Sequence, residues 1–399
     1  MKQSKTNTRS VVSTILTAGV VSSAMMFSST VMAEGITEAL TGGKAKVDVR
    51  VRLETNDTDD ANNKDAATAV TARTRIGYET GTFAGLQAYA EFEDTMALVD
   101  EYAPQDTTFD PVVDPEGTEL NQGYLTYKGI DKFLVKVGRQ RVILDNARFV
   151  GNVGWRQNEQ TYDAALLQTT VIPGLTASYA YVTQVNGIKY ESAETDTQLV
   201  NVSYKTKPAK ITGYSYMIDG DGAKGDSMTM GASVSGKVPM GSMKLLYNAE
   251  FAQMGGYADN DSGNSANYMA VEIGAALKPV TIKVGHEVLG GDGTTSFQTP
   301  LATKHKFNGW ADKFLVTPVD GLVDTYLTAV GKVAGVKLLA TYHMFSSDNG
   351  GDDYGSELDL LAVKKFGKNY SAGVKYAAYT AGDIKEDTNK MWLWGGVSF

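Results

Sequence analysis

Lys46-Val47-Asp48-Val49-Arg50-Val51-Arg52-Leu53-Glu54 puts every apolar side chain on one face of an extended chain and every charge on the other. A repeat of two is the mark of a strand with one wet and one greasy face; a helix would space its apolar residues by 3.6. The same alternation returns at Leu86, Ala88, Ala90 and Phe92 against Gln87, Tyr89, Glu91 and Glu93. It returns again at Met269, Val271, Ile273, Ala275 and Leu277, and at Leu358, Leu360 and Ala362. Helical spacing is scarce. Eighteen such segments can be counted, each about 10–12 residues long, which is the length a tilted strand needs to cross a bilayer.

The segments between them alternate in length. Residues 56–67, 97–118, 144–160, 255–265 and 290–320 are long. Residues 81–85, 129–131, Pro173-Gly174, Lys207-Pro208, Pro239-Met240 and Gly367-Lys368 are short. A soluble sandwich has no reason to sort its loops this way, whereas a membrane barrel has tight periplasmic turns and longer outer loops. The expectation is an all-β fold: a transmembrane antiparallel β-barrel of about 18 strands spanning 44–399, with short periplasmic turns and longer extracellular loops. Backbone groups in hydrocarbon find no water, so the sheet must close on itself.

Composition agrees. The 399 residues hold 42 Gly, 21 Tyr, 9 Pro and no Cys, with a formal charge of −9. Absence of cysteine excludes disulfides and thiolate metal sites. The acidic balance argues against nucleic acid as a partner. Residues 1–33 carry Lys2, Lys5 and Arg9, then an apolar stretch from Val11 to about Met26. Val31 and Ala33 meet the small-residue rule for cleavage, so 1–33 reads as a secretory signal peptide and 34–43 as a short periplasmic segment. No run of 18 apolar residues follows, so no helix is expected to span the membrane. The end, Met391-Trp-Leu-Trp-Gly-Gly-Val-Ser-Phe399, resembles the C-terminal signature of outer-membrane barrels that the assembly machinery reads. The expected location is the outer membrane of a Gram-negative bacterium, in contact with lipid and lipopolysaccharide.

Parity selects candidate lumen residues. Arg50 and Arg52 on the first strand and Arg73 and Arg75 on the second form one basic patch. Lys136, Arg139, Arg141, Arg148 and Arg156 add to it, with Glu91, Glu93 and Asp163 as inward acids. Arg139 and Arg141 break the pattern: with Lys136 inward they face lipid unless a bulge intervenes. Arginines on a channel wall can select and orient anionic solutes. The alternative is mutual ion pairing, since Glu91 and Glu93 lie beside Arg73 and Arg75. Residues 144–160, folded inward, would narrow the pore, and 303–318 could form a short helix or cap. The acidic loop tips around Asp57, Asp59 and Asp60 and around Asp219 and Asp221 read as solvated loops; the 219–226 run lacks the terminal Glu of a calcium loop.

Three stretches carry a family resemblance. They are Ala72-Arg-Thr-Arg-Ile-Gly-Tyr-Glu-Thr-Gly81 with Ala90-Glu-Phe-Glu-Asp94; Asp114-Pro-Glu-Gly-Thr-Glu-Leu-Asn-Gln-Gly-Tyr-Leu-Thr-Tyr-Lys-Gly129; and 137–163, which includes Val137-Gly-Arg-Gln-Arg141 and Val153-Gly-Trp-Arg-Gln-Asn158. Residues 305–318 add to them. Together they resemble the alginate-export family of outer-membrane porins. The resemblance implies an eighteen-stranded barrel with an arginine-lined, anion-selective pore, in a family whose founding members export a polyuronate.

The function expected is passive diffusion of hydrophilic, anionic solutes, with oligo- or polyuronates among them. It needs no catalytic residue, metal or cofactor. A plugged structural or adhesive barrel is the second class. A hydrolase is the third; it would need a nucleophile oriented by a base, and His286, His305 and His343 have no recognisable partner motif.

Overall fold

A computed structural model describes residues 29–59, 64–220, 225–260 and 264–399. The candidate signal peptide lies largely outside these residues, as do Asp60 and Asp221. Helix α1, Ser29–Thr41, leads into the barrel and rests on the first periplasmic turn, where Ala39 O accepts the Gly81 N–H at 2.7 Å.

Eighteen strands follow: β1 Lys44–Thr58, β2 Ala67–Glu79, β3 Leu86–Glu101, β4 Gly117–Tyr127, β5 Phe133–Gln140, β6 Thr161–Thr169, β7 Leu175–Asn186, β8 Ser192–Lys205, β9 Ala209–Ile218, β10 Ser227–Met240, β11 Met243–Gly255, β12 Ser265–Ala276, β13 Val280–Leu289, β14 Leu322–Val333, β15 Val336–Ser346, β16 Asp353–Phe366, β17 Tyr370–Thr380 and β18 Thr388–Ser398. Each pairs antiparallel with its neighbour in sequence, and β18 pairs with β1 through Leu53↔Leu393 and Asp48↔Ser398. The sheet has no free edge, the requirement a hydrocarbon environment imposes on backbone N–H and C=O groups.

Alternation sorts the side chains as the sequence suggests. Ile76, Phe92, Leu125, Ile273 and Leu393 project outward and are more than half exposed, whereas Arg52, Glu54, Arg73, Arg75, Glu91 and Glu93 point in and are buried. This inverts a soluble protein, and only a lipid surround makes it stable. Turns at the end where β1 begins are tight, down to 334–335 and 241–242. In the first of these both central residues, Ala334 (φ 49°) and Gly335 (φ 81°), take the left-handed conformation that matches the twist of a two-residue hairpin. Most connections at the opposite end are longer; 187–191 and 347–352 are as short as the longer periplasmic turns. The fifth strand ends at Gln140, and the chain turns into the lumen from there.

A lumen narrowed by two loops

Two loops turn inward and meet. Residues 141–160 leave β5, cross the barrel and return to β6; residues 290–321 hang between β13 and β14. Val150 and Leu301 form a parallel bridge, with Gly151 N–H donating to Leu301 O at 2.9 Å and Thr303 N–H to Ala147 O at 3.0 Å. At the far wall Phe149 sits among Tyr214, Tyr216, Tyr268 and Phe297, at centroid distances of 5.2–6.3 Å. The expected helix in 303–318 reduces to one 3-10 turn, Lys304–Lys306.

Arginines fasten the loops to the wall. Arg148, buried, donates from Nε to Glu287 at 2.7 Å and from an amino group to Asn308 at 3.0 Å. Arg156 binds both oxygens of Glu54 at 3.0 and 3.1 Å and Asp312 at 3.0 Å. Trp155 stacks on His305 at 5.2 Å and meets Trp392 and Trp394 edge-on. Lys375 lies over Trp310 and Trp155 at 3.7 and 4.3 Å and donates to His305 Nε2 at 2.6 Å. Burial, opposed by Asp312 and aided by Lys375, lowers His305 to about 3. The ring is therefore neutral at pH 7: Nδ1–H donates to Asp312 at 2.7 Å and Nε2 accepts from Lys375. Burial works to raise Asp312, but His305, Lys390 and Arg156 hold it below the usual carboxylate range.

The basic patch lies on the wall beneath this bridge. Arg50 stands directly opposite Arg73, and Asp48 opposite Arg75. Arg73 contacts Asp48, and Arg75 contacts Glu93 and reaches Glu159 at 3.1 Å. Arg52 is enclosed by Asp114 and Glu54. Arg50 differs from its neighbours. Among the described residues its guanidinium meets only neutral oxygens, including Gln157 Oε1 at 2.9 Å and the carbonyls of Trp155 and Arg156 at 3.1 and 2.5 Å. Lys136 lies over the Tyr124 ring at 4.4 Å.

The arginine at 141 swings inward once β5 has ended, donating from Nε to Glu159 at 2.7 Å and pairing with Glu91 at 3.0 Å. Burial works to raise Glu159, but Arg75 and Arg141 overcome it and hold the carboxyl at about 2. Arg139 and Asp163 require a correction. They pair at 2.8 and 3.2 Å on the outer face, the face of the exposed Val137 and Leu167, so neither lines the lumen. Asp163 follows strand parity, with Tyr162 and Ala164 inward. Arg139 keeps the outward parity of Val137.

Several members of the constellation escape sequence reasoning. Asp114, Glu159, Gln157, Asn121 and Asp312 all belong to it. Four of them sit in loops, where alternation says nothing about direction. His343, on β15, donates from Nδ1 to Asp324 at 2.9 Å inside the lumen, whereas His286 meets Thr325 on the lipid-facing side.

The inward loops leave two cavities. One, of about 500 Å³, is lined by Lys46, Arg50, Arg73, Arg75 and Arg141 against Asp48, Glu91 and Glu159, with Tyr89 and Tyr124 on its wall. The other, of about 900 Å³, lies between β8 and β16. A closed barrel, apolar outside and charged within, its lumen narrowed by inward loops, defines an outer-membrane porin. Within that class the chain belongs to the alginate export family, whose model, described as "Alginate export", matches residues 44–296. A search of curated proteins finds no match. Among solved structures, OccK1 (OpdK) of Pseudomonas aeruginosa superposes with a TM-score of 0.74 at 11% identity, covering 90% of this chain and 99% of that one. OccK9 (OpdG) of the same organism gives 0.72 at 13%, and OccAB3 of Acinetobacter baumannii 0.72 at 14%. Each of these covers 90% of this chain and 100% of its own.

Proposed function

We propose that the chain is a passive channel for small or oligomeric anionic solutes, carboxylates and uronates among them. The observation that carries this reading is the smaller cavity: five basic side chains face three acidic side chains there, and among the described residues Arg50 makes no ion pair. Fixed positive charge along a narrow wet path raises the local concentration of anions and lowers that of cations. Arg50, Arg73, Arg75 and Arg141 are the solute-facing set, with Tyr89 and Tyr124 as an apolar strip beside it. Arg52, Arg148 and Arg156 act at one remove by holding the loops that set the bore. Lys136, Glu91 and Glu93 tune the charge of the wall. OpdK of Pseudomonas aeruginosa, which shares the fold, has been crystallised with vanillate, itself a carboxylate.

Passage needs no chemical step, so the chain acts without catalytic residue, metal or cofactor. Residues 1–33 direct export and are removed, 34–43 stay periplasmic, and Phe399 is read by the assembly machinery. Lipid and lipopolysaccharide contact the outer face.

The test is reversal potential in planar bilayers under a salt gradient. Arg73→Gln with Arg75→Gln should lower the anion-to-cation permeability ratio by at least about twofold while the barrel still forms. Added oligouronates should block current where neutral oligosaccharides of equal length do not. Unchanged selectivity in the double variant, or equal block by both sugars, refutes the assignment.

A further inference from the structure

The larger cavity opens beside the short turns, at the periplasmic end, and its rim is lysine. Lys205, Lys207, Lys210, Lys237, Lys283 and Lys337 line it. They fall at the periplasmic ends of β8, β9, β10, β13 and β15 or in the turn between β8 and β9. Two of them are neutralised: Lys210 by Asp145 at 2.6 Å and Lys283 by Glu272 at 2.9 Å. The other four have no carboxylate within ion-pair distance among the described residues, and all four are exposed.

The register makes this arrangement costly. Lys205 lies directly opposite Lys210, and Lys332 directly opposite Lys337. Like charges facing each other across antiparallel strands repel. Asp145 neutralises one member of the first pair, Lys210; among the described residues no carboxylate lies within ion-pair distance of Lys205, Lys332 or Lys337, and an anion seated beside them would offset that repulsion. The outer end has the opposite sign. Asp348, Asp352 and Asp353 crowd one outer loop, and Asp383, Glu386 and Asp387 the next. The barrel therefore carries a charge gradient along its axis, acidic outside and basic at the periplasmic mouth.

We infer that the lysine rim of the larger cavity is a capture site for solutes bearing two or more negative charges, and that it loads the channel from the periplasmic side. The site is separate from the arginine cavity and rests on the reading of the chain as an anion channel. Neighbouring strands stand about 4.8 Å apart, so lysines on adjacent strands match carboxylates or phosphates spaced along one small molecule or an oligomer. A passive channel gains no net direction from this rim, but its association rates differ between the two sides.

The experiment uses single channels of the full barrel in bilayers of zwitterionic lipid, so that no lipid anion competes. The sequence has no cysteine, so Asn349→Cys in an outer loop, labelled with an impermeant thiol reagent, identifies the outer side. Citrate is added to one side at a time and the rate of current block is measured. The expected on-rate from the periplasmic side exceeds that from the outside by on the order of tenfold at 0.1 M salt and converges with it near 1 M as the charges are screened. Lys205→Gln, Lys207→Gln and Lys337→Gln together should abolish the difference, and the corresponding triple change to Arg should retain it. Equal block rates from both sides, or asymmetry that survives the Gln substitutions, overturns the capture site. Anion selectivity in KCl is measured in the same channels. If it persists while block is symmetric, only the rim assignment fails; if it is absent, the anion-channel reading fails as well.

Discussion

Truncating Phe149 to Ala should free the crossing loop without unfolding the barrel. The ring is buried and touches four others, meeting Tyr268 and Phe297 edge-on at 78° and 65°. Loss of a buried phenylalanine costs about 3–5 kcal/mol when the site cannot collapse, and edge-on aromatic contacts contribute about 0.5–1.5 kcal/mol each within that. The four partners sit on fixed strands and a second loop, so little collapse is available, and about 3 kcal/mol is a fair figure. At about 1.4 kcal/mol per factor of ten, the population with the loop detached rises roughly a hundredfold. Arg148–Glu287 and the Val150–Leu301 bridge remain, so detachment stays transient. In single-channel recordings this should produce brief high-conductance openings that the parent protein lacks. Limited trypsinolysis from the outer side should give new cuts after Arg148 and Arg156, both buried in the intact loop. If conductance and cleavage pattern match the parent, the aromatic cluster does not hold the loop and the account of the constriction is wrong.

Acid should loosen the same region. His305 is held near 3 and Glu159 near 2, both below the values they take when the loops are open, near 6.5 and 4.5. Opening therefore takes up protons. The His305 contribution to closure is lost as pH falls from about 6.5 to 3, and that of Glu159 from about 4.5 to 2. Current noise should rise between pH 7 and 4 and stay flat from 7 to 8; an unchanged trace at pH 4 would count against the buried His305–Asp312 pair. Replacing Arg139 and Asp163 together by Leu should leave ion selectivity at the parent value, because the pair faces outward. A selectivity change in that variant would return both residues to the lumen.

What could be read from the sequence depended on one rule. Alternation assigned direction on strands, so Arg50, Arg52, Arg73, Arg75, Glu91 and Glu93 fell where expected, and the count of eighteen strands followed with it. The rule has no purchase in a loop. It could not tell that Arg141, one residue past the end of β5, turns inward while Arg139, as parity with Lys136 requires, stays out. Nor could it tell that Arg148 and Arg156 spend their charge on Glu287, Glu54 and Asp312, which lie more than a hundred residues away along the chain. Asp163 shares the outward face of Ala165 and Leu167, so the expectation of an inward acid fails there. Beside Arg139, near the outer end of β6, an outward acid has its partner. The lysine rim was visible in principle as single lysines flanking the turns, but it becomes a feature only when the register sets Lys205 against Lys210.

The bridge between the two inward loops has a consequence for biogenesis. Its halves come from residues near 150 and near 301, and it is anchored on β1 and β18 as well. A nascent sheet inserted strand by strand holds neither set of anchors until its first and last hairpins have met. The constriction must therefore mature after closure, and a half-built cylinder would be a wide, unselective leak, so the cell has reason to complete the seam quickly.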